Sequence, residues 1–151
     1  MELDVVGIVF RWMHLLAAIT AVGGVLFMRL ALVPALKQLD DEASSRLREA
    51  LRSNWSKMVF GAIFFLLVSG IYNFIMTLKS FDGTAPRFYH MLFGFKFLLA
   101  LGVFFIGSAL AGHSKATQKI RDNTVFYLTI NAVLAVTVVC LSGVLRALAL
   151  H

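Results

Sequence analysis

The residues of this 151-residue chain with the clearest capacity for chemistry are a few polar and ionisable side chains set within long apolar stretches. A charged side chain at the centre of a bilayer costs about 2.5–3.5 kcal/mol on insertion scales, so such residues usually face a protein interior and serve a site. Among them are Arg11, His14, Tyr72, Asn73, His90, Lys96 and Arg146. Counted at about 1.5 Å per residue, these residues all fall in the half of the membrane nearest the chain termini. The other half is nearly all apolar apart from Asn131.

His14 is the strongest candidate for a cofactor ligand. At helical spacing it shares a face with the small residues Ala17, Ala18 and Ala21, so a flat group or another backbone can approach beside the imidazole. Imidazole ligates heme iron, and guanidinium groups pair with carboxylates such as propionates. We therefore expect His14 to be an axial ligand of heme b. The cofactor-binding groups expected around it are Arg11, Arg146, Tyr72 and Asn73. The alternatives are a hydrogen-bonded packing histidine and a small-residue stripe that serves helix packing.

Two residues of the third apolar stretch accompany His14. His90 is the expected second ligand if the iron is six-coordinate, and an open position is the alternative; His90 can also belong to an interfacial aromatic belt beside Tyr89. Lys96 interrupts an otherwise apolar helix. We expect it to act in catalysis, by binding an anionic group of the cofactor or substrate, and the alternative is that it snorkels outward along its stem.

The elements that must position these residues are membrane-spanning helices. Hydrophobic residues make up 60% of the chain and charged residues 15%, which is more apolar surface than one small soluble core can bury. A bilayer core about 30 Å thick needs roughly 20 apolar residues per helix. Helices are predicted over about 5–36, 58–78, 86–112 and 124–148, with an amphipathic surface segment over about 38–53. The prediction is one all-α domain over 1–151, an integral membrane antiparallel four-helix bundle.

Basic residues predict the orientation of this bundle. Two loops that share one side carry Lys37, Arg46, Arg48, Arg52, Lys57, Lys115, Lys119 and Arg121. The loop on the opposite side carries only Lys79 and Arg87. By the positive-inside rule both termini lie on the periplasmic side of a bacterial inner membrane. Topology and anionic lipid account for the net charge of +6, so we expect no nucleic-acid partner. The single cysteine, Cys140, excludes an internal disulfide.

Three segments carry a family resemblance. Residues 11–18 (RWMHLLAA) with 27–30 (FMRL) look like the first helix of the HemJ and CopD-like membrane proteins. Residues 89–99 (YHMLFGFKFLL) are similar to that superfamily's His-to-Lys helix, and 69–73 (SGIYN) resemble the end of its second helix. HemJ proteins are heme-binding membrane oxidases that convert protoporphyrinogen IX to protoporphyrin IX, and CopD proteins are associated with copper uptake. The resemblance implies that His14 and Lys96 match functional positions, with His90 as a possible second ligand.

Three classes of function therefore remain open. The first is a heme b redox protein, either an oxidase with a porphyrin substrate or an electron carrier working with membrane quinone. The second is a copper-handling protein, in which His14 or His90 is joined by thioethers. Those thioethers would come from Met13, Met76 and Met91. The third is a structural or assembly subunit, whose polar groups hold helices together. Lipid is a partner in every case, and a homo-oligomer is compatible with each.

Overall fold

The computed structural model of the protein describes residues 4–81, 87–112 and 114–148. The helices are α1 (Val5–Phe27), α2 (Val33–Leu36), α3 (Asp41–Ser80), α4 (Arg87–Ala111), α5 (Gln118–Asp122) and α6 (Thr124–Leu148). A π-helical turn (Met28–Leu32) joins α1 to α2, and a 3-10 turn (Lys115–Thr117) precedes α5. No strand occurs in these described ranges. The all-α prediction is confirmed.

Four helical segments are long and apolar enough to cross a membrane, namely Val5–Leu36, Asp41–Ser80, Arg87–Ala111 and Thr124–Leu148. The protein is thus a multi-pass membrane protein. The predicted limits agree with the observed ones to within a residue for the first, third and fourth spans, although position 86 lies outside the described residues. Below, the terminal end of the bundle is the end at which α1 begins and α6 finishes. The basic end is the opposite one, which carries 37–57 and 114–123.

The first span is continuous but contains one wide turn. Pro34 has no backbone N–H and its ring crowds the carbonyl four residues earlier, so a regular α-helix is interrupted there. The π-helical turn Met28–Leu32 accommodates this interruption, and the chain then continues as α2. The apolar face therefore continues to Leu36, which is buried at the basic end.

The second span differs from the sequence expectation. A surface segment over 38–53 separate from a span over 58–78 was expected, but α3 runs unbroken for 40 residues. Asp40 caps its start, with Oδ1 accepting from the Ala43 N–H at 2.7 Å. The sequence from 41 to 60 contains neither Gly nor Pro, so nothing interrupts the helix. At about 1.5 Å per residue α3 is about twice as long as a bilayer core is thick, so its first turns project beyond the membrane.

The spans pack as two pairs. The most extensive interfaces join α1 to α3 and α4 to α6, and smaller ones between α3 and α4 and between α1 and α6 close the bundle. Its buried positions are mostly small or medium-sized: Ala17, Val25, Val33, Ala62, Ala109, Leu128, Ala132 and Ala135. Small residues let helix backbones approach closely where lipid offers no hydrophobic driving force. Large apolar side chains such as Leu98, Phe105 and Val133 are exposed, as lipid-facing residues are.

The small-residue stripe of α1 is part of the α1–α3 interface. Ala17 and Val25 are buried, and a Cβ added at Gly24 would lie 2.9 Å from Cη2 of Trp55 and 3.6 Å from Cε of Met58. The stripe therefore brings α3 close to α1, which is the packing alternative considered for it above. It does not by itself open a slot beside His14.

We predict that Gly24→Leu destabilises the bundle by about 1–3 kcal/mol, because the added side chain overlaps the Trp55 ring. The matched control is Gly23→Leu, since a Cβ at Gly23 meets nothing within 4 Å. Unfolding of the purified protein in mixed micelles by increasing dodecyl sulfate measures both. Equal stability of the two variants would contradict this account of the interface.

Candidate functional site

A hydrogen bond between spans places His14 at the terminal half of the bundle. Nδ1 of His14 lies 2.9 Å from the hydroxyl of Ser69 on α3. Ser69 is fully buried, and its hydroxyl also donates to the carbonyl of Phe65. Because a serine hydroxyl has one proton, Ser69 accepts from the Nδ1–H of His14. The order of donation is therefore His14 to Ser69 to the α3 backbone.

This arrangement selects one form of the imidazole. With Nδ1 carrying the proton that is shared with Ser69, the neutral ring has its lone pair on Nε2. Metal-ligating histidines are oriented in the same way, by a second-shell acceptor on the nitrogen that does not bind the metal. His14 is thus a candidate ligand with a defined ring orientation. Its ring is held against the α3 backbone, since a Cβ added at Gly70 would lie 3.3 Å from Cε1 of His14.

Lys96 on α4 is the second ionisable group of this site. It is half-buried within the candidate membrane span Arg87–Ala111, three residues after Phe93, whose ring stacks on Phe74 of α3. The ion pairs in the described part of the chain are Arg46–Glu42 and Arg52–Glu49, both on the projecting part of α3. The Lys96 ammonium therefore has no carboxylate partner among the described residues. An anionic ligand would supply the charge that the protein does not.

Stacked aromatic rings flank the two ionisable groups. Phe10, one turn before His14, stacks on Tyr72 with ring centroids 3.9 Å apart. Phe93, on the turn before Lys96, stacks on Phe74 with centroids 3.7 Å apart. The first pair bridges α1 and α3, and the second bridges α3 and α4. Three spans are therefore joined by aromatic contacts around His14 and Lys96.

His90 lies on a different side of α4 from Lys96. His90 is exposed, and its ring lies edge-on to that of the preceding residue, Tyr89, which is buried. His90 and Lys96 are six residues apart on α4, which corresponds to about 120° around the helix. The side of α4 that carries Lys96 is therefore a different one, and the geometry favours the interfacial-belt alternative for His90.

The other predicted cofactor-binding residues divide into two groups. Tyr72 and Asn73 are half-buried on α3, within one turn of Ser69, and the Asn73 carbonyl accepts from Thr77. Arg11 and Arg146 are exposed and lie near the terminal end of α1 and α6. Tyr72 and Asn73 thus border the His14–Ser69 contact, whereas the two arginines border the lipid or the membrane surface.

The thioethers considered as copper ligands differ in their exposure. Met13 is half-buried, but Met76 and Met91 are exposed on α3 and α4. Within residues 4–81, 87–112 and 114–148, no group of three or more His, Cys, Asp or Glu side chains is placed to hold a metal ion. Single-ligand coordination by His14, as in a five-coordinate heme, does not require such a group.

Two polar contacts were not among the predicted site residues. Ser69 entered the sequence analysis only within segment 69–73, although a serine inside a helix commonly donates to the carbonyl four residues earlier. Arg29, in the π-helical turn, donates through Nε to Thr129 of α6 at 2.7 Å. Its position inside an apolar stretch was visible in the sequence, but its partner on a distant helix was not.

Fold and site together define a multi-pass α-helical membrane protein with an ionisable site built from three spans. Comparison with protein-family models, with curated proteins and with solved structures found no match to this chain.

We predict that Ser69→Ala removes the acceptor of the His14 N–H and costs about 1 kcal/mol of stability, within the range found for hydrogen bonds between membrane helices. Ser142→Ala is the matched control, because the Ser142 hydroxyl donates to the carbonyl four residues earlier just as that of Ser69 does. Imidazole ¹⁵N chemical shifts of labelled protein report the tautomer directly. Unchanged His14 shifts in Ser69→Ala would show that the contact does not orient the ring.

Proposed function

We propose that this protein is a heme b-binding membrane redox protein, with His14 as the axial ligand. The observation that carries the proposal is the His14–Ser69 hydrogen bond, which leaves Nε2 of a half-buried imidazole as the nitrogen with the lone pair. The resemblance to the HemJ and CopD-like proteins points to the same residue.

The side chains around His14 are chemically suited to a tetrapyrrole. A heme needs one nitrogen ligand, apolar and aromatic walls, and cations for its carboxylates. Here His14 is the ligand, Phe10 and Tyr72 contribute aromatic rings on the α1–α3 side, and Lys96 is a cation without a carboxylate partner among the described residues. When bound, heme supplies the redox chemistry of its iron. The chain's own contributions are to ligate, to orient and to balance charge.

Lys96 has the second role in the proposal. An ammonium in a membrane span attracts carboxylate, and both the propionates of heme and those of a porphyrinogen substrate carry that group. We assign Lys96 to binding such a carboxylate beside His14. The substrate is protoporphyrinogen IX if the chain acts as the resemblance implies, and otherwise membrane quinone is the electron partner.

The proposal uses one histidine. His90 is exposed and lies on another side of α4 from Lys96, so His14 is the histidine that would hold the heme. We therefore propose a single histidine ligand and not the six-coordinate alternative with His90. The proposed location is the bacterial inner membrane with both termini on the periplasmic side, supported by the excess of basic residues at the basic end.

The first test compares two histidine variants of the protein purified from heme-replete cells. We expect the parent protein to show a Soret band and a high-spin ferrous form that takes up carbon monoxide. His14→Ala should lose most of the heme, whereas His90→Ala, the matched control, should keep heme content and spectrum. A colourless parent protein would indicate that the polar groups serve helix association, and full heme content in His14→Ala would show that His14 is not the ligand.

The second test addresses the charge at position 96. Lys96→Met should lower heme retention or protoporphyrin formation, followed by its fluorescence, by roughly tenfold, the equivalent of about 1.4 kcal/mol. Lys96→Arg should restore much of the loss because it keeps the cation. Lys79→Met is the control, since Lys79 is exposed at the end of α3. If Lys96→Met behaves like Lys79→Met in both assays, Lys96 is a snorkelling side chain.

A further inference from the structure

A cavity lies in the basic half of the bundle, away from His14 and Lys96. It has a volume of 260 Å³ and is bounded by all four spans. Its walls are almost entirely apolar and include Val25, Met28, Trp55 and Phe104. Neither His14 nor Lys96 lines it, so it is separate from the proposed heme site. Its volume lies just below the usual range of small-molecule pockets, about 300–1,000 Å³, which suits one chain or ring.

One buried polar group in this cavity lacks a partner. Asn131 on α6 lines the cavity and is 1% exposed. Its Oδ1 has no hydrogen-bond partner among the described residues, while Nδ2 lies 3.7 Å from the position of a Cβ added at Gly107 of α4. An unsatisfied buried acceptor costs about 1–3 kcal/mol. A hydroxyl or N–H inside the cavity would remove that cost.

The mouth of the cavity is positively charged. Arg48 and Arg52 on the projecting part of α3 and Arg121 on α5 belong to the lining, and among its described residues none is acidic. Arg52 lies 3.7 Å from Glu49, and the guanidinium of Arg121 donates to neutral oxygens of Ser114, Thr117 and Gln118. More positive than negative charge is thus gathered where the apolar cavity opens, as an anionic head group requires.

The position of Asn131 along α6 gives its depth relative to the arginines at the mouth of the cavity. Asn131 is seven residues beyond Thr124, the first residue of α6 and also part of the lining. At 1.5 Å per residue the unpaired acceptor lies about 10 Å deeper in the bundle than the mouth. A molecule that satisfies both must carry an anionic group at one end and a hydrogen-bond donor about 10 Å along an apolar body.

We propose that this cavity binds a single-chain anionic amphiphile that carries a hydroxyl group part-way along its chain. The carboxylate or phosphate lies at Arg48, Arg52 and Arg121, the chain lies among the apolar walls, and the hydroxyl donates to Asn131 Oδ1. The site takes its ligand from the membrane surface at the basic end. It is independent of heme, and its occupancy is measurable on protein of any heme content.

Trp55 gives a direct readout, because it lines the cavity and Trp12, the other tryptophan, lies near the terminal end of α1. In a Trp12→Phe background, the full-length protein is placed in nanodiscs of phosphatidylcholine. A stearate dibrominated at mid-chain quenches Trp55 fluorescence on binding. Unlabelled competitors then relieve the quenching: stearate, a stearate hydroxylated at its tenth carbon, stearyl alcohol, lysophosphatidate and the two-chain phosphatidylglycerol.

We expect the hydroxylated stearate to compete roughly threefold to tenfold better than stearate, as one net hydrogen bond of 0.5–1.5 kcal/mol implies. Asn131→Leu should abolish that difference while leaving stearate binding intact, which also shows that the variant is folded. Arg48→Gln with Arg52→Gln should weaken both acids by tenfold or more, whereas Arg46→Gln, outside the lining, should not. Stearyl alcohol should compete poorly.

Several results would overturn the proposal. Equal competition by the two stearates would mean that Asn131 does not bind a hydroxyl group of the ligand. Competition by stearyl alcohol as good as that of stearate would mean that the arginines do not bind the anionic group. Phosphatidylglycerol that competes as well as the single-chain acids would identify bilayer phospholipid as the occupant instead. Lysophosphatidate that matches stearate supports the proposal with phosphate as well as carboxylate accepted.

Discussion

The terminal half of this bundle depends on one requirement, that polar groups in a membrane find partners within the protein. In lipid an unsatisfied polar group costs several kcal/mol, because no water replaces the missing partner. His14 and Ser69 meet this requirement together: the imidazole donates to the hydroxyl and the hydroxyl donates to the Phe65 carbonyl. The contact holds α1 against α3 at one depth and one rotation. Gly70 beside it leaves room for the ring, because a Cβ added there would lie 3.3 Å from Cε1 of His14.

The sequence predicted the parts of the fold that follow from the thickness of a bilayer. Hydrophobic length alone gave four spans, and three of them have the predicted limits. It failed for α3, because the polarity of 38–53 marks where a helix leaves the membrane and not where it ends. Only Gly or Pro would have stopped that helix, and neither occurs from 41 to 60.

The sequence predicts how deep the candidate residues lie along their helices, but not which way each side chain points around its helix. Counting residues put His14, His90 and Lys96 in the same half of the membrane, but adjacent helical residues differ by about 100° in direction. On α4 that rotation buries Tyr89 and exposes His90. The rotation of a span is set by what packs against it, here the aromatic contacts to α3, and such contacts between distant segments are not visible in a single sequence.

Each half of the bundle contains one polar group without a partner among the described residues, and each of the two proposals assigns a ligand to one of these groups. In the terminal half a cation, Lys96, lacks a carboxylate partner among the described residues, so an anion bound there lowers the cost of holding the charge in the membrane. In the basic half a buried acceptor, Asn131, lacks a donor. A ligand that satisfies either group would bind the folded bundle and not the unfolded chain, because each site forms only when three or four spans are packed together. If the two proposed ligands bind, binding and folding are coupled at both places, and the cost that each polar group imposes on the free protein becomes part of the affinity for its ligand.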